Sequence, residues 1–312
     1  MGRTKAISIV VVGLALCGVA LWYNLRPPED PICNGVRLSE WIKEANRDSD
    51  KNPIKEKDLN RIGSKAVPFL IYSIKKNIPG ETQCFGELFP TAIRKYLPKK
   101  LYQRKPYGSF DQCLYALEKL SDLGANAKPA IPLLLKIVDH PQESLRFAAA
   151  MGLNSIGPES WDDVVKILSR TGSKARRSIL LTLTHRLSTP APTPSTVERK
   201  RILEILLNAC VDSDPEIQQL GVGGLMNCRA FHSYQFTDLD LPHRAGPVIA
   251  NCLNYGDGML KVVSARALYY YPESVDLAID NLEQMAADKD DFYRSPAHAT
   301  LQVYQNAPDL AK

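Results

Sequence analysis

The chain has 312 residues, 45% of them hydrophobic and 23% charged, with a formal net charge of +5. That apolar share excludes a disordered polyelectrolyte, while the mild basic excess bounds function only loosely. Seven cysteines scattered over this length exclude a dense disulfide framework, and their pairing cannot be read from the sequence.

Arg3 and Lys5, in a short tail over residues 1–5, precede Ala6–Leu25, a run with no charged side chain. A helix of about 20 residues spans a hydrocarbon core of roughly 30 Å, and Trp22 and Tyr23 stand where an interfacial aromatic belt forms. The run is expected to be an uncleaved single-pass transmembrane anchor. A cleaved signal peptide is the alternative, but Gly18-Val19-Ala20 is a poor Ala-x-Ala site and lies inside the apolar run. Leu16 before Cys17 does not suit a lipoprotein site either. Arg3 and Lys5 are nearly balanced by Arg26, Arg37 and Lys43, so orientation rests on the short tail. It puts the body on the extracytoplasmic side.

Residues 26–36 read as a Pro-rich polar connector, and 37–312 as one helical domain. Leu38–Ala45 reads as a short amphipathic helix anchored by Trp41 and Ile42, with Trp41 closing the end of the array. Leu59-Asn60-Arg61-Ile62-Gly63, followed by Ala66-Val67-Pro68-Phe69-Leu70, marks a helix junction. Residues from about 78 to 110 form an inserted segment. Arg94, Lys95, Lys99, Lys100, Arg104 and Lys105 lie there with Tyr96, Tyr102 and Tyr107 interleaved, and no acid occurs from Leu88 to Phe110. Such a patch, Tyr102 included, can attract anionic lipid headgroups or polymer; the bland alternative is a solvated helix face. Nucleic acid is disfavoured as a partner, since an exported body rarely meets it.

The most regular stretch follows. Ile131, Leu134, Leu135 and Val138 recur at the spacing of a buried helical face, Asp139-His140-Pro141 breaks the helix, and Leu145, Ala149, Gly152, Leu153 and Ile156 line the next one. Gly124 and Gly157 bracket this helix–turn–helix unit at a period of 33 residues. Residues Ala127-Lys128-Pro129-Ala130-Ile131-Pro132-Leu133-Leu134, then Asp139, Pro141, Leu145, Arg146, Ala149, Leu153 and Ile156-Gly157, resemble the HEAT family of helical repeats, including the HEAT-like repeats of bilin lyases. The resemblance implies an all-α superhelix of antiparallel helix pairs, here preceded by the transmembrane helix.

Further on, helices are expected over Trp161–Ser169 and Ile179–Leu187, then an exposed Pro-rich loop at 189–196. The array resumes at Ile202–Cys210, where Asp212-Ser213-Asp214-Pro215 repeats the earlier turn chemistry. Ala149, Gly221, Ser264 and Ala297 align at one small-residue position, each with a leucine four residues on: Leu153, Leu225, Leu268 and Leu301. Arg146 and Arg294 keep a basic residue that Gln218 and Lys261 vary. Gly221, Gly223 and Gly224 are each expected to weaken their helix by roughly 1 kcal/mol relative to Ala.

The chain carries no phosphate-binding Gly-x-x-x-x-Gly-Lys loop, no His-Glu-x-x-His helix and no Gly-x-Ser-x-Gly elbow. Cys228, His232, His243 and Cys252 lack the tight Cys-x-x-Cys spacing of a zinc site. The acids at Asp212, Asp214 and Glu216, and at Asp288, Asp290 and Asp291, read as helix caps rather than calcium ligands. No catalytic residue, metal or cofactor is therefore assigned. The expected function is a non-enzymatic, membrane-anchored scaffold that binds a protein partner. A bilin-lyase-like enzyme or chaperone, and an anionic-polymer or nucleic-acid binder using the basic insertion, are the alternatives.

Overall fold

A computed structural model of the chain describes residues 27–44, 56–78, 110–170, 172–187, 195–232 and 239–306. The expected anchor Ala6–Leu25 and the basic insertion lie outside the described residues, as does most of the Pro-rich loop. Among the described residues no helix is long and apolar enough to cross a membrane. The chain divides into two compact units, Met1–Ala130 and Ile131–Lys312.

The first unit opens on a small hairpin where a connector was expected. Strands β1 (Ile32–Cys33) and β2 (Val36–Arg37) pair antiparallel, Ile32 opposite Arg37 and Cys33 opposite Val36. Asn34 and Gly35 make the turn with φ of 51° and 81°, the two positive values that a tight hairpin turn needs and that Asn-Gly tolerates best. The chain then enters α1 (Leu38–Glu44), whose first turn is held by Leu38 N–H donating to the Pro31 carbonyl at 2.8 Å and Ser39 N–H donating to the Asp30 carboxylate at 3.0 Å. Trp41 is half-buried in α1 and Ile42 fully buried. Helices α2 (Glu56–Ile62), α3 (Val67–Asn77) and α4 (Phe110–Asp122) follow among the described residues of this unit, with Leu38, Leu59, Leu70, Ile74, Leu117 and Leu120 in the core. Each such side chain contributes about 1.5–3 kcal/mol by leaving water. Pro68 falls in the first turn of α3, where its missing N–H has no helical partner to lose.

The second unit is built from helix pairs, five among the described residues: α5 (Ile131–Ile137) with α6 (Glu143–Ile156), α7 (Trp161–Leu168) with α8 (Lys174–Leu187), α9 (Thr196–Cys210) with α10 (Pro215–His232), α11 (Leu241–Tyr255) with α12 (Gly258–Leu268), and α13 (Ile279–Ala286) with α14 (Asp291–Gln305). Short turns make the members of each pair antiparallel. The second helices α6, α8, α10, α12 and α14 pack in succession as one layer, and the first helices form the other.

The aligned positions hold. Ala149, Gly221, Ser264 and Ala297 are all buried, as are Leu153, Leu225, Leu268 and Leu301. The matching glycines Gly63, Gly124 and Gly157 all have positive φ, 58°, 53° and 79°, a conformation that an L side chain strains to adopt. Arg146 is buried because its guanidinium donates to the His140 and Pro141 carbonyls at 2.9 and 2.6 Å, satisfying the turn before its own helix. The acids cap as expected: Asp214 accepts from Glu216 N–H at 3.0 Å and Asp290 from Phe292 N–H at 2.9 Å.

Two expectations need correction. The buried face of α5 carries Leu133, Leu134, Ile137 and Val138, while Ile131 and Leu135 are only half-buried. In a run this apolar, two faces one residue apart satisfy the same period, and packing on α6 selects between them. Helix α8 also begins at Lys174, five residues before the expected Ile179, with Ile179, Leu180, Leu183 and Leu187 buried in it. Asn154 ties it to α6, its side-chain N–H donating to the Ile179 carbonyl at 3.2 Å and to Thr182 Oγ1 at 2.6 Å. Arg186 of α8 donates to the Asn154 carbonyl, and burial pulls its pKa below the ordinary value, offset in part by the charge of Glu198.

Candidate functional site

A helix inside the second layer has three sides occupied, one by its pair mate and two by its layer neighbours. The fourth side of each faces solvent. On α6, the first helix of the layer, which has α8 as its layer neighbour, Phe147 and Met151 are half-buried. On α8 the solvent side shows Leu181, 36% exposed, with Arg177 and His185 one turn to either side. On α10 it includes Gly223, where an added Cβ would meet nothing within 4 Å. On α12 it carries Met259, 47% exposed, half-buried Val263 and exposed Arg266 at i, i+4 and i+7, and Tyr270, 37% exposed, lies in the turn after the helix. These positions place exposed and half-buried apolar side chains among charged ones on successive helices, and at Gly223 there is open space for a side chain.

Charge on this face is mixed. Lys174, Arg177 and Arg266 are exposed on it along with Glu143 and Glu216, and Arg177 Nε lies 3.4 Å from the Glu216 carboxylate. A nucleic-acid surface needs a contiguous basic stripe, which carboxylates here interrupt. Recognition on this face would rest on apolar contact and shape.

A second feature is a cleft between the α7/α8 and α9/α10 pairs. Val165, Leu168, Leu180, Ile205 and Ile217 wall a cavity of about 190 Å³, and the Arg176–Asp212 ion pair lies at its base. Arg176 is 4% exposed and its Nε–H has no hydrogen-bond partner, whereas Asp212 also accepts from Asp214 N–H at 2.9 Å. Pockets for drug-sized ligands run to about 300–1,000 Å³, so this cleft has room for one side chain. Its ion pair joins adjacent helix pairs, as do Asp139 with Arg170 at 3.0 Å, Asp162 with Arg201, and Glu204 with Arg244 at 2.5 Å.

Arg94, Lys95, Lys99, Lys100, Tyr102, Arg104 and Lys105 all lie outside the described residues. Cys228 and Cys252 are buried thiols, and burial pushes the Cys228 pKa well up. His243 is exposed and 2.6 Å from the Asp240 carboxylate. The exposed face of the second layer was not legible in the sequence as a site. The sequence shows Gly223 as one of three mid-helix glycines, and only the neighbouring helices show that it, unlike Gly221 and Gly224, has open space beside it.

No protein-family model matches the sequence, and no curated protein matches it. Similar solved structures include an engineered protein at 19% identity, covering 63% of this chain and 91% of the other with a TM-score of 0.41. A designed armadillo repeat protein, solved in complex with a peptide, is 13% identical and covers 76% of this chain and 99% of its own, with a TM-score of 0.43. At scores this low the likeness settles neither family nor partner.

Proposed function

We propose that the chain is a non-enzymatic scaffold whose second-layer face binds a segment of a partner protein, in the manner that the resemblance to HEAT repeats implies. What supports this reading is the set of exposed and half-buried apolar side chains on the second-layer helices, Phe147, Met151, Leu181, Met259 and Val263, with open space at Gly223. Stacked repeats present long surfaces of this kind, and binding on them needs preformed contacts rather than reacting groups. The mixed charge of the face favours a partner segment with apolar anchors over an anionic polymer.

The open space supplies its own test. An added Cβ at Gly223 meets nothing within 4 Å, so photo-reactive p-benzoylphenylalanine is placed there, and irradiation in native membranes should give a discrete cross-linked product. The same substitution at Val197, 76% exposed on the first-layer helix α9, should not. Equal cross-linking at both positions, or none at Gly223, rejects the face as the binding surface.

The proposal extends to place: Ala6–Leu25 holds the scaffold at a membrane, with the helical body on the extracytoplasmic side. What supports this is the uncharged run itself and its aromatic edge. The protein should then sediment with membranes, resist carbonate extraction and keep its N-terminus. A soluble product beginning near Leu21 would show a cleaved signal peptide instead.

A further inference from the structure

Five cysteines are described, all buried and none in a disulfide. Two of them meet. Cys210 is the last residue of α9 and Cys252 lies in the last turns of α11, first-layer helices of adjacent pairs that pack on each other. The Cys252 thiol donates to the Cys210 carbonyl at 3.4 Å, so its sulfur lies against the end of α9. The pair stands in tight surroundings: Ala209 and Cys210 press against α10 at Gly221, so the position of the Cys210 backbone is fixed from the other side.

We propose that Cys210 and Cys252 form a disulfide that joins the α9/α10 pair covalently to the α11/α12 pair. The contact also divides the roles of the two sulfurs. The hydrogen bond between them lowers the pKa of Cys252 and raises that of Cys210, with burial adding to the rise at Cys210 and opposing the fall at Cys252. Cys252 is the more exposed of the two, 6% against 1%, so an oxidant reaches it first, and it attacks as the thiolate.

The oxidant is a small-molecule disulfide of the glutathione type. Cys252 Sγ attacks one of its sulfurs, the bond between those sulfurs breaks, and one glutathione leaves as thiolate and takes up the proton that Cys252 gave up. Cys210 then loses its proton and attacks Cys252 Sγ, breaking the mixed disulfide and releasing the second glutathione, which takes that proton. Two protein thiols are oxidised and one glutathione disulfide is reduced to two thiols. Both sulfurs are buried, so the exchange proceeds when α9 and α11 part locally, and the product is shielded once they close.

The test uses the full-length protein in detergent, held in oxidised glutathione at a urea concentration below the unfolding transition so that local opening is frequent. The expected product is lighter by two hydrogen atoms. Non-reducing peptide mapping should join the fragment holding Cys210 to the one holding Cys252. Its thermal midpoint should lie above that of the same protein after dithiothreitol. Cys252→Ser, compared with itself in the two treatments, should show no such difference, which separates the cross-link from any packing effect of the substitution. If both thiols stay open to alkylation after unfolding, or if Cys210 maps to Cys228 instead, the proposal is overturned.

Discussion

Gly221, Gly223 and Gly224 sit within one turn of α10, and replacing each by Ala separates helix propensity from packing. At Gly223 the new Cβ meets nothing within 4 Å, so only propensity and unfolded-state entropy change. Gly223→Ala should raise stability by about 0.5–1 kcal/mol. At Gly221 the Cβ would stand 2.8 Å from the Cys210 backbone nitrogen and 2.9 Å from the Ala209 Cβ, atoms that cannot rotate away. Overpacking of this sort costs about 1–3 kcal/mol, so after the propensity gain Gly221→Ala should lose roughly 1–2 kcal/mol. Gly224 is intermediate, because its closest contact, 2.4 Å to Leu206 Cδ2, is with the end of a side chain that can turn. Urea titration followed by far-UV circular dichroism gives the order: the midpoint should rise for Gly223→Ala and fall for Gly221→Ala, with the slope unchanged. A midpoint for Gly221→Ala at or above that of Gly223→Ala would refute the reading of α9 and α10 as packed through glycine.

Other substitutions test single contacts. Asp212→Ala leaves Arg176 buried without its partner and should cost roughly 2–4 kcal/mol, while the double change with Arg176→Met should recover much of that in the same titration. Tyr271 is fully buried and donates to the Leu225 carbonyl at 2.6 Å, so Tyr271→Phe should cost about 1–3 kcal/mol at neutral pH. Burial, aided by nearby Cys228, raises the Tyr271 pKa, so its native-state advantage is full below the unfolded tyrosine value of about 10 and is lost as pH rises past it. Thermal melts from pH 8 to about pH 11 should therefore fall less steeply in Tyr271→Phe than in wild type. Ser195→Ala removes half of a capping box in which Ser195 Oγ accepts from Glu198 N–H and Glu198 accepts from Ser195 N–H, and should lower stability by about 1 kcal/mol. Changing Lys99, Lys100, Arg104 and Lys105 to Gln separates the two readings of the basic segment. An anionic-binding surface loses vesicle binding that is strong at about 0.1 M salt and weak at about 1 M, whereas a solvated face shows no change.

How much of this was legible beforehand follows the range of the interactions. Gly63, Gly124 and Gly157 could be aligned because each ends or restarts a helix within a few residues, and local backbone geometry writes itself into local sequence. Ala149 and Leu153 and their counterparts were found for the same reason, since one helix face repeats the same packing. Asn34-Gly35 was an equally local signal, and it was missed because neighbouring prolines made the stretch read as a connector. The helix α8 escaped the alignment because Thr182, Leu183 and Thr184 fill its contacts without the small residue that marked the others. Nothing in the order of residues could announce that Arg176 meets Asp212 or that Cys210 meets Cys252. Those contacts exist only once the pairs stack. The triple glycine shows the limit most clearly: one rule of propensity covers all three positions, and only the neighbouring helix tells Gly223 from Gly221.

Tyr271 carries a consequence for how a chain like this can change length. Residues just past α12 reach back to α10: Tyr271 bonds the Leu225 carbonyl, and Glu273 meets the Arg229 guanidinium at 3.0 Å. This connector thus closes over the repeat before its own, like a roof tile lapping the course beneath. An unequal recombination that removed the α11/α12 pair with its connector would strip Leu225 and Arg229 of their covers, and one that duplicated the pair would present a second Tyr271 to a helix lacking their match. Loss of the α11/α12 pair with its connector should therefore cost more stability than that pair's own internal contacts supply.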